Sequence, residues 1–423
     1  MDTIKKQKLL ILLSCILYAC AWLGKYNYNA NIIPVLEFYG VTRADAGFVG
    51  TAFFFSYGTF QFLHACFCRF YPKRTVIAMA LLLSAAINLV LFFRPPFASI
   101  LFLWILNGFC QAALWPTLLL TLGETLAPER MGQAVMALSF SVLLGNIFIY
   151  GGSALFNMGN TFQAIFLLSA ILMLLVGVVW FFTFRVLVGE GSTGRTKEIA
   201  KKTERPKRRP IRLALVGLLT ICALVVIPNN FIKDGLNTWL PTILKEQFAF
   251  KSSVSIVVTF AFSVFGMLGS AFALRMNKWI RNFRVLIGFF FLLLTLFVGG
   301  AAFSLRETLL IPFLICVGCC AAMVFATLNT LTSIMPLAMR DQVNSGFLTG
   351  LMNSCACVGS AISTYTFGRI ADRAGWNAVF QILFFAAAAS ALLVGVTVFI
   401  HLFNSKKDPT GRPPDGGAAW KRT

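Results

Sequence analysis

The sequence predicts an all-α polytopic membrane protein with twelve transmembrane helices in two pseudo-symmetric six-helix bundles. Three observations carry this prediction. The 423 residues are 58% hydrophobic and only 12% charged, with a mean hydropathy of +0.80, whereas a soluble domain carries about 25% charged residues. Apolar runs of about 20 residues, long enough to cross a hydrocarbon core, recur from end to end. Two of these runs carry a lysine, Lys25 and Lys233, and 233 − 25 = 208 positions is close to half the chain.

Taken in order, the first half holds spans expected at 9–35, 46–67, 75–93, 99–122, 132–156 and 161–187. The first contains Lys25 and runs to Pro34. The fourth contains Asn107, Gln111 and Trp115-Pro116, and the fifth Asn146 and Tyr150. A polar stretch then intervenes over 189–212, with Gly191-Ser192-Thr193-Gly194 and the basic run Arg205-Pro206-Lys207-Arg208-Arg209. Its composition reads as a linker with little fixed structure. The second half holds spans expected at 213–243, 252–275, 285–303, 309–335, 342–366 and 377–402. The domains are therefore an N-terminal bundle (1–188), a basic linker (189–212), a C-terminal bundle (213–403) and a polar tail (404–423).

The formal net charge is +21. In a soluble chain this excess would indicate nucleic acid, but here its distribution follows topology. With twelve spans both termini lie on one side. Of the 36 Lys and Arg, 27 fall on that side, 7 on the other and 2 inside. The positive-inside rule makes the termini cytoplasmic and removes the case for a nucleic-acid partner. The eleven cysteines lie in or beside spans and lack zinc-type spacing. His64 and His401 sit at span ends, so no metal or other cofactor is expected. Lys5, Lys6 and Lys8 before Ala19-Cys20-Ala21 mimic a cleavable leader, but cutting there would discard half of the helix bearing Lys25.

A charge at the centre of a membrane helix costs roughly 2.5–3.5 kcal/mol on insertion scales and usually lines a polar cavity. At ~1.5 Å per residue, Lys25 is ~14 Å from Pro34 and Lys233 ~12 Å from Pro241. Both are near half of a ~30 Å core. Helical spacing groups Tyr18, Trp22, Lys25, Tyr28 and Asn29 on one stripe, and Asn229, Asn230, Lys233 and Asn237 on another. Asn amides suit a polyhydroxyl or carboxylate ligand, or simply hydrogen-bond helix to helix. Asp234 is a counter-ion for a lysine, a proton-coupling carboxylate, or an offset to insertion cost. Gln111, Asn146 and Asn353 are further candidate ligand contacts. Glu124, Glu129, Arg130 and Arg69 read as a gate or loop cluster, with Pro128 opening the loop that holds Glu129 and Arg130.

The halves echo each other beyond the lysines: Pro128 and Pro336 are again 336 − 128 = 208 apart. Such internal symmetry marks transporter folds with a binding site between repeats. The residues here resemble the organophosphate:phosphate antiporter family of the major facilitator superfamily. Lys233-Asp234-Gly235-Leu236-Asn237-Thr238-Trp239-Leu240-Pro241 looks like its Arg-x-Gly-x-x-x-Trp-x-Pro segment. Lys25-Tyr26-Asn27-Tyr28 stands where the family has Arg-x-Asn-aromatic. Asn107-Gly108, Gln111, Trp115-Pro116, Glu129-Arg130, Gly132, Ser345-Gly346-Phe347-Leu348-Thr349-Gly350 and Ala371-Asp372-Arg373-Ala374-Gly375-Trp376 are also similar.

That resemblance implies a twelve-helix major facilitator fold, alternating access, and exchange of an organic phosphate for inorganic phosphate, with Lys25 and Lys233 in place of two phosphate-gripping arginines. The departures are specific. Lysine lacks the planar fork that arginine offers an oxyanion. Gln61 stands where glycerol-3-phosphate transporters have a lysine, Gly145 where they have a histidine, and Cys68 where an acidic residue precedes the arginine. A less positive site suits a cargo of lower charge. The expectation is a monomeric secondary transporter of a small organic anion, with phosphate or a proton as coupling ion, in a bacterial inner membrane. The alternatives are a proton-coupled symporter of a sugar acid or other carboxylate, and a membrane sensor of an external organic anion. No nucleotide-binding motif, catalytic triad or paired carboxylates point to a pump or an enzyme.

Overall fold

The computed structural model describes residues 3–188, 213–280, 282–339 and 345–407, and the described residues are helical throughout apart from short connections. Ten of the helices are long and apolar enough to cross a membrane. The first half contains α1 (Thr3–Ala30), α2 (Ile32–Tyr39), α3 (Arg43–Phe67), α4 (Lys73–Phe92), α5 (Phe97–Ala112), α6 (Leu114–Thr125), α7 (Pro128–Met158) and α8 (Ala164–Val188). The second half contains α9 (Leu213–Phe248), α10 (Ser252–Trp279), α11 (Phe283–Arg306), α12 (Leu310–Asn329), α13 (Met335–Ala338) and α14 (Ser345–Lys407). The linker 189–212 and residues 408–423 of the tail lie outside the described residues.

Local chemistry sets the helix ends and breaks. At the start of α3, Thr42 Oγ1 accepts from the Asp45 backbone N at 3.1 Å while Asp45 takes the Thr42 N–H at 3.3 Å, a reciprocal capping box. Pro116 cannot donate to the Ala112 carbonyl, and the helix is broken at Ala113, between α5 and α6. In the second half, Pro336 frees the carbonyl of Thr332. The chain answers with a π-helical turn over Thr330–Ile334, and Thr349 Oγ1 donates to that carbonyl at 3.1 Å.

Several expectations change here. Pro128 does not open a loop: it is in the first turn of α7, where a missing N–H costs nothing. The first span breaks at Asn31, and Pro34 lies inside α2, not at its end. Pro241 is likewise interior to α9, which continues to Phe248. The depth estimate therefore used the wrong ends. Counted to Tyr39 and Phe248, Lys25 and Lys233 are 39 − 25 = 14 and 248 − 233 = 15 residues from their true ends, and they remain level. The spans expected at 342–366 and 377–402 are two helical segments of α14 that meet at Gly375, whose φ 75° and ψ 175° are not helical. Helix α3 is not among the ten apolar helices, because its buried face carries Gly47, Gly50, Ser56, Gly58 and Gln61.

One end of the molecule is made of short turns, and each contains a residue with positive φ. These are Gly40, Arg94 and Asn160 in the first half, and Ala249, Thr308 and Gly375 in the second. They pair at offsets of 249 − 40 = 209, 308 − 94 = 214 and 375 − 160 = 215. The hydrophobic core divides in a similar way. One cluster draws almost wholly on residues beyond 222, and two others on residues before 188.

Helix α3 lies along α14, and α7 along α10. The first contact is intimate: a Cβ on Gly47 would stand 2.2 Å from the Thr364 carbonyl oxygen, and one on Gly368 2.4 Å from that of Arg43. At the short-turn end the halves are also tied by charge. Arg43 reaches Glu246 at 2.8 Å and Asp372 at 2.7 Å, Trp376 Nε1 donates to Glu246 at 2.7 Å, and Lys245 pairs with Glu37.

Candidate functional site

Lys25 and Lys233 are held very differently. Lys25 is half-buried on α1, and its Nζ sits 3.6 Å from the centroid of the Tyr57 ring, with Trp22 and Tyr26 at 5.4 and 5.3 Å. No carboxylate among the described residues forms an ion pair with it. Faces of aromatic rings are negative and attract a cation, by ~2 kcal/mol or more where water is excluded. Lys233 is 7% exposed and has a true counter-ion, with its Nζ 3.2 Å from Oδ1 of Asp234. The other Asp234 oxygen accepts from Ser360 Oγ at 2.5 Å and from Asn230 Nδ2 at 3.5 Å. The charges of Asp234 and Lys233 both act on Lys25 across the interface between the halves.

A narrow crevice with room for about one water lies beside Lys25, lined by Tyr18, Trp22, Tyr57, Gln111 and Trp115 as well as the lysine itself. Its walls are aromatic, with Tyr18 and Trp115 centroids 4.8 Å apart. Asn146 Oδ1 accepts from Trp22 Nε1 at 2.8 Å and so fixes one wall. Gln111 donates to Ser84 Oγ at 2.9 Å, and its oxygen makes no hydrogen bond among the described residues.

Two predicted residues bridge the halves one turn beyond the lysines, towards the short-turn end. Asn29 Nδ2 donates to Thr238 Oγ1 at 2.7 Å, and Asn237 Oδ1 accepts from Tyr150 OH at 3.0 Å. Both close the site on that side. Other predicted residues are turned into the bundles. Tyr28 donates to the Ala46 carbonyl at 3.0 Å and packs on Trp104. Asn229 donates to the Val324 carbonyl at 3.0 Å, leaving its own oxygen without a partner. Asn353 is half-buried and makes no hydrogen bond among the described residues.

Of the expected gate cluster, two side chains are described. Glu124 pairs with the buried Lys73, while Arg130 donates to the Ile4 carbonyl at 3.4 Å. The side chains of Arg69 and Glu129 lie outside the described residues. Tyr26, Tyr57, Ser360 and Phe325, whose ring centroid is 5.5 Å from Lys233 Nζ, are residues around the lysines that sequence reasoning missed. Tyr57 was within reach, since it sits four positions before Gln61, whose amide donates to its hydroxyl at 3.3 Å. Gly145 also has a physical reason: a Cβ there would lie 3.0 Å from both the Ala19 carbonyl oxygen and the Trp22 Cβ.

The sequence matches the family described as the Major Facilitator Superfamily over residues 14–364. The membrane sensor protein UhpC of Escherichia coli (strain K12) is 22% identical over 402 residues, 89% of each chain. Among solved structures, a POT family transporter in complex with 5-aminolevulinic acid superposes with a TM-score of 0.71 at 14% identity, over 94% of this chain and 96% of that one. A D-xylose–proton symporter superposes with a TM-score of 0.70 at 12% identity, over 93% and 97%. At such identities the structural likeness speaks for the fold alone.

Proposed function

The chain belongs to the Major Facilitator Superfamily, and we propose on that footing that it is a secondary transporter carrying a small organic anion by alternating access. The observation that supports this reading best is Lys25, a membrane-interior cation with no carboxylate partner among the described residues, lining a crevice beside the interface at the level of Lys233. An anion there supplies the counter-charge that the protein withholds. By touching α1 and α9 together it draws the halves towards an occluded state, from which either side can open.

The architecture in this reading is twelve spans in two repeats, 1–188 and 213–403, joined by 189–212. The paired turn residues and the divided core support it. The positive-inside bias supports cytoplasmic termini with the short-turn end outward, and the membrane in this reading is a bacterial inner membrane. Phosphate exchange and proton symport remain the two coupling schemes. For the second, Asp234 is the proton carrier, bound to a lysine and a serine.

Uptake or counterflow in proteoliposomes with Lys25→Ala and Lys233→Ala tests the reading, and transport at the wild-type level in either variant sinks it. Replacing Asp234 by Asn separates the coupling schemes, since unchanged proton dependence removes Asp234 from that role. A second reading, a sensor of an external anion, is favoured by the similarity to a membrane sensor protein. It predicts anion binding without net flux in the same vesicles.

A further inference from the structure

We propose that the site takes a monovalent anion carried on an uncharged ring, a monocarboxylate of the sugar-acid type, in preference to a dianionic phosphate ester. This rests on the anion-transport reading and specifies its cargo.

The first argument is charge. Three charged groups meet at the centre: Lys25, Lys233 and Asp234. Lys233 is neutralised by Asp234 at 3.2 Å, and Ser360 and Asn230 hold that carboxylate in place from its other oxygen. The protein thus presents one net positive charge, on Lys25. A monoanion brings the centre to neutrality. A dianion leaves a net negative charge in a low-dielectric interior, which is costly unless it is paired. Recruiting Lys233 away from Asp234 does not relieve this, because the freed carboxylate then faces the dianion.

The donor set agrees. Neither cation is arginine, so no planar fork is available for a phosphate. Gln61 adds no charge and is engaged with the Tyr57 hydroxyl. The wall residue Trp22 is backed by Gly145, where close packing leaves little room for a basic side chain.

The second argument is shape. Beside Lys25 the crevice is walled by Tyr18, Trp22 and Trp115, flat faces suited to the face of a ring. Gln111 lies in the same wall with an unused acceptor oxygen, able to take a ring hydroxyl. The carboxylate belongs at Lys25 Nζ, and the ring lies along the aromatic wall once the crevice, which here has room for about one water, widens.

D-Glucuronate and glucose 6-phosphate test the inference directly. They share a pyranose ring and differ in the group at C6, which carries one charge in the acid and two in the ester at mildly alkaline pH. Titration calorimetry on the purified protein should give a Kd for glucuronate at least about tenfold lower, a difference of about 1.4 kcal/mol. Asp234→Asn, which frees Lys233, should narrow or reverse that preference. Equal or tighter binding of glucose 6-phosphate by the wild type overturns the inference. If Lys25→Ala then abolishes binding of both, the anion-transport reading survives its loss. Binding of neither sugar at millimolar concentration also overturns the ring-bearing monocarboxylate. Binding of both that is unaffected by Lys25→Ala refutes the anion-transport reading as well. Should Asp234→Asn fail to fold, the wild-type comparison decides the matter alone.

Discussion

Arg43 Nη1 stands 2.7 Å from Asp372 Oδ1, and this pair joins the start of α3 to α14 across the two halves of the chain. The same guanidinium binds Glu246 at the end of α9, so one side chain staples three helices. These groups are a quarter to a third exposed, and each pair alone contributes only about 0–1 kcal/mol. Their joint removal is what opens the end. In Arg43→Ala, a cysteine placed at Thr51, packed between α3 and α14, should react several-fold faster with an impermeant maleimide. Unchanged labelling would count against the staple.

Tyr57 should act through its ring more than through its hydroxyl. With the Lys25 ammonium 3.6 Å from the ring centroid, Tyr57→Ala leaves the cation without its nearest aromatic face. A loss of ~2 kcal/mol of stability in the ligand-free protein is expected. Tyr57→Phe keeps the ring and loses only the hydrogen bond from Gln61, for about 0.5–1.5 kcal/mol. Thermal melts in detergent should rank wild type, Phe and Ala in that order, and equal melts for the two variants would exclude the cation–π role.

The Thr332 carbonyl depends on Thr349 because Pro336 cannot serve it. Thr349→Val, nearly the same in shape, should lower stability by about 0.5–1.5 kcal/mol by removing the hydrogen bond to a part-buried acceptor. Thr349→Ser should be close to neutral. If Val and Ser melt alike, water is serving the carbonyl instead.

Gly375 has φ 75° and ψ 175°, a region essentially reserved for glycine. Gly375→Ala should cost about 1–3 kcal/mol, read as a lower melting temperature. Asn160, at φ 53°, is in the milder left-handed region, and Asn160→Gly should be tolerated. A melt of Gly375→Ala at the wild-type temperature would mean that the kink relaxes freely.

Much of this was legible from residues alone, and the exceptions are instructive. A lysine within an apolar run is costly enough to announce itself, so Lys25 and Lys233 were found without coordinates. Their aromatic neighbours Trp22 and Tyr18 followed from helical spacing. Spacing on one helix says which face a residue shares, but not which residue on another helix it meets. Asn29 and Asn237 therefore read as ligand contacts, whereas they bond Thr238 and Tyr150 across the halves. Tyr57 and Ser360 come from other helices and carry no charge, which left them silent. The prolines misled for a different reason. Pro241 sits within α9, as a membrane helix allows when neighbours satisfy the freed carbonyl, whereas Pro34 and Pro128 stand in the first turns of α2 and α7, where a missing N–H costs nothing.

The asymmetry between the two lysines has an electrical consequence. Lys233 and Asp234 are adjacent on α9 and travel together as a neutral pair, whereas Lys25 travels alone. On the proposed transport reading, the empty protein reorients with one uncompensated positive charge in the field, worth up to ~2.3 kcal/mol per 100 mV. Loaded with a monoanion, it reorients with none. A voltage that is negative inside then biases the unloaded step and leaves the loaded step indifferent. Capacitive currents on a supported membrane should appear on ligand-free reorientation and vanish when the cargo is bound.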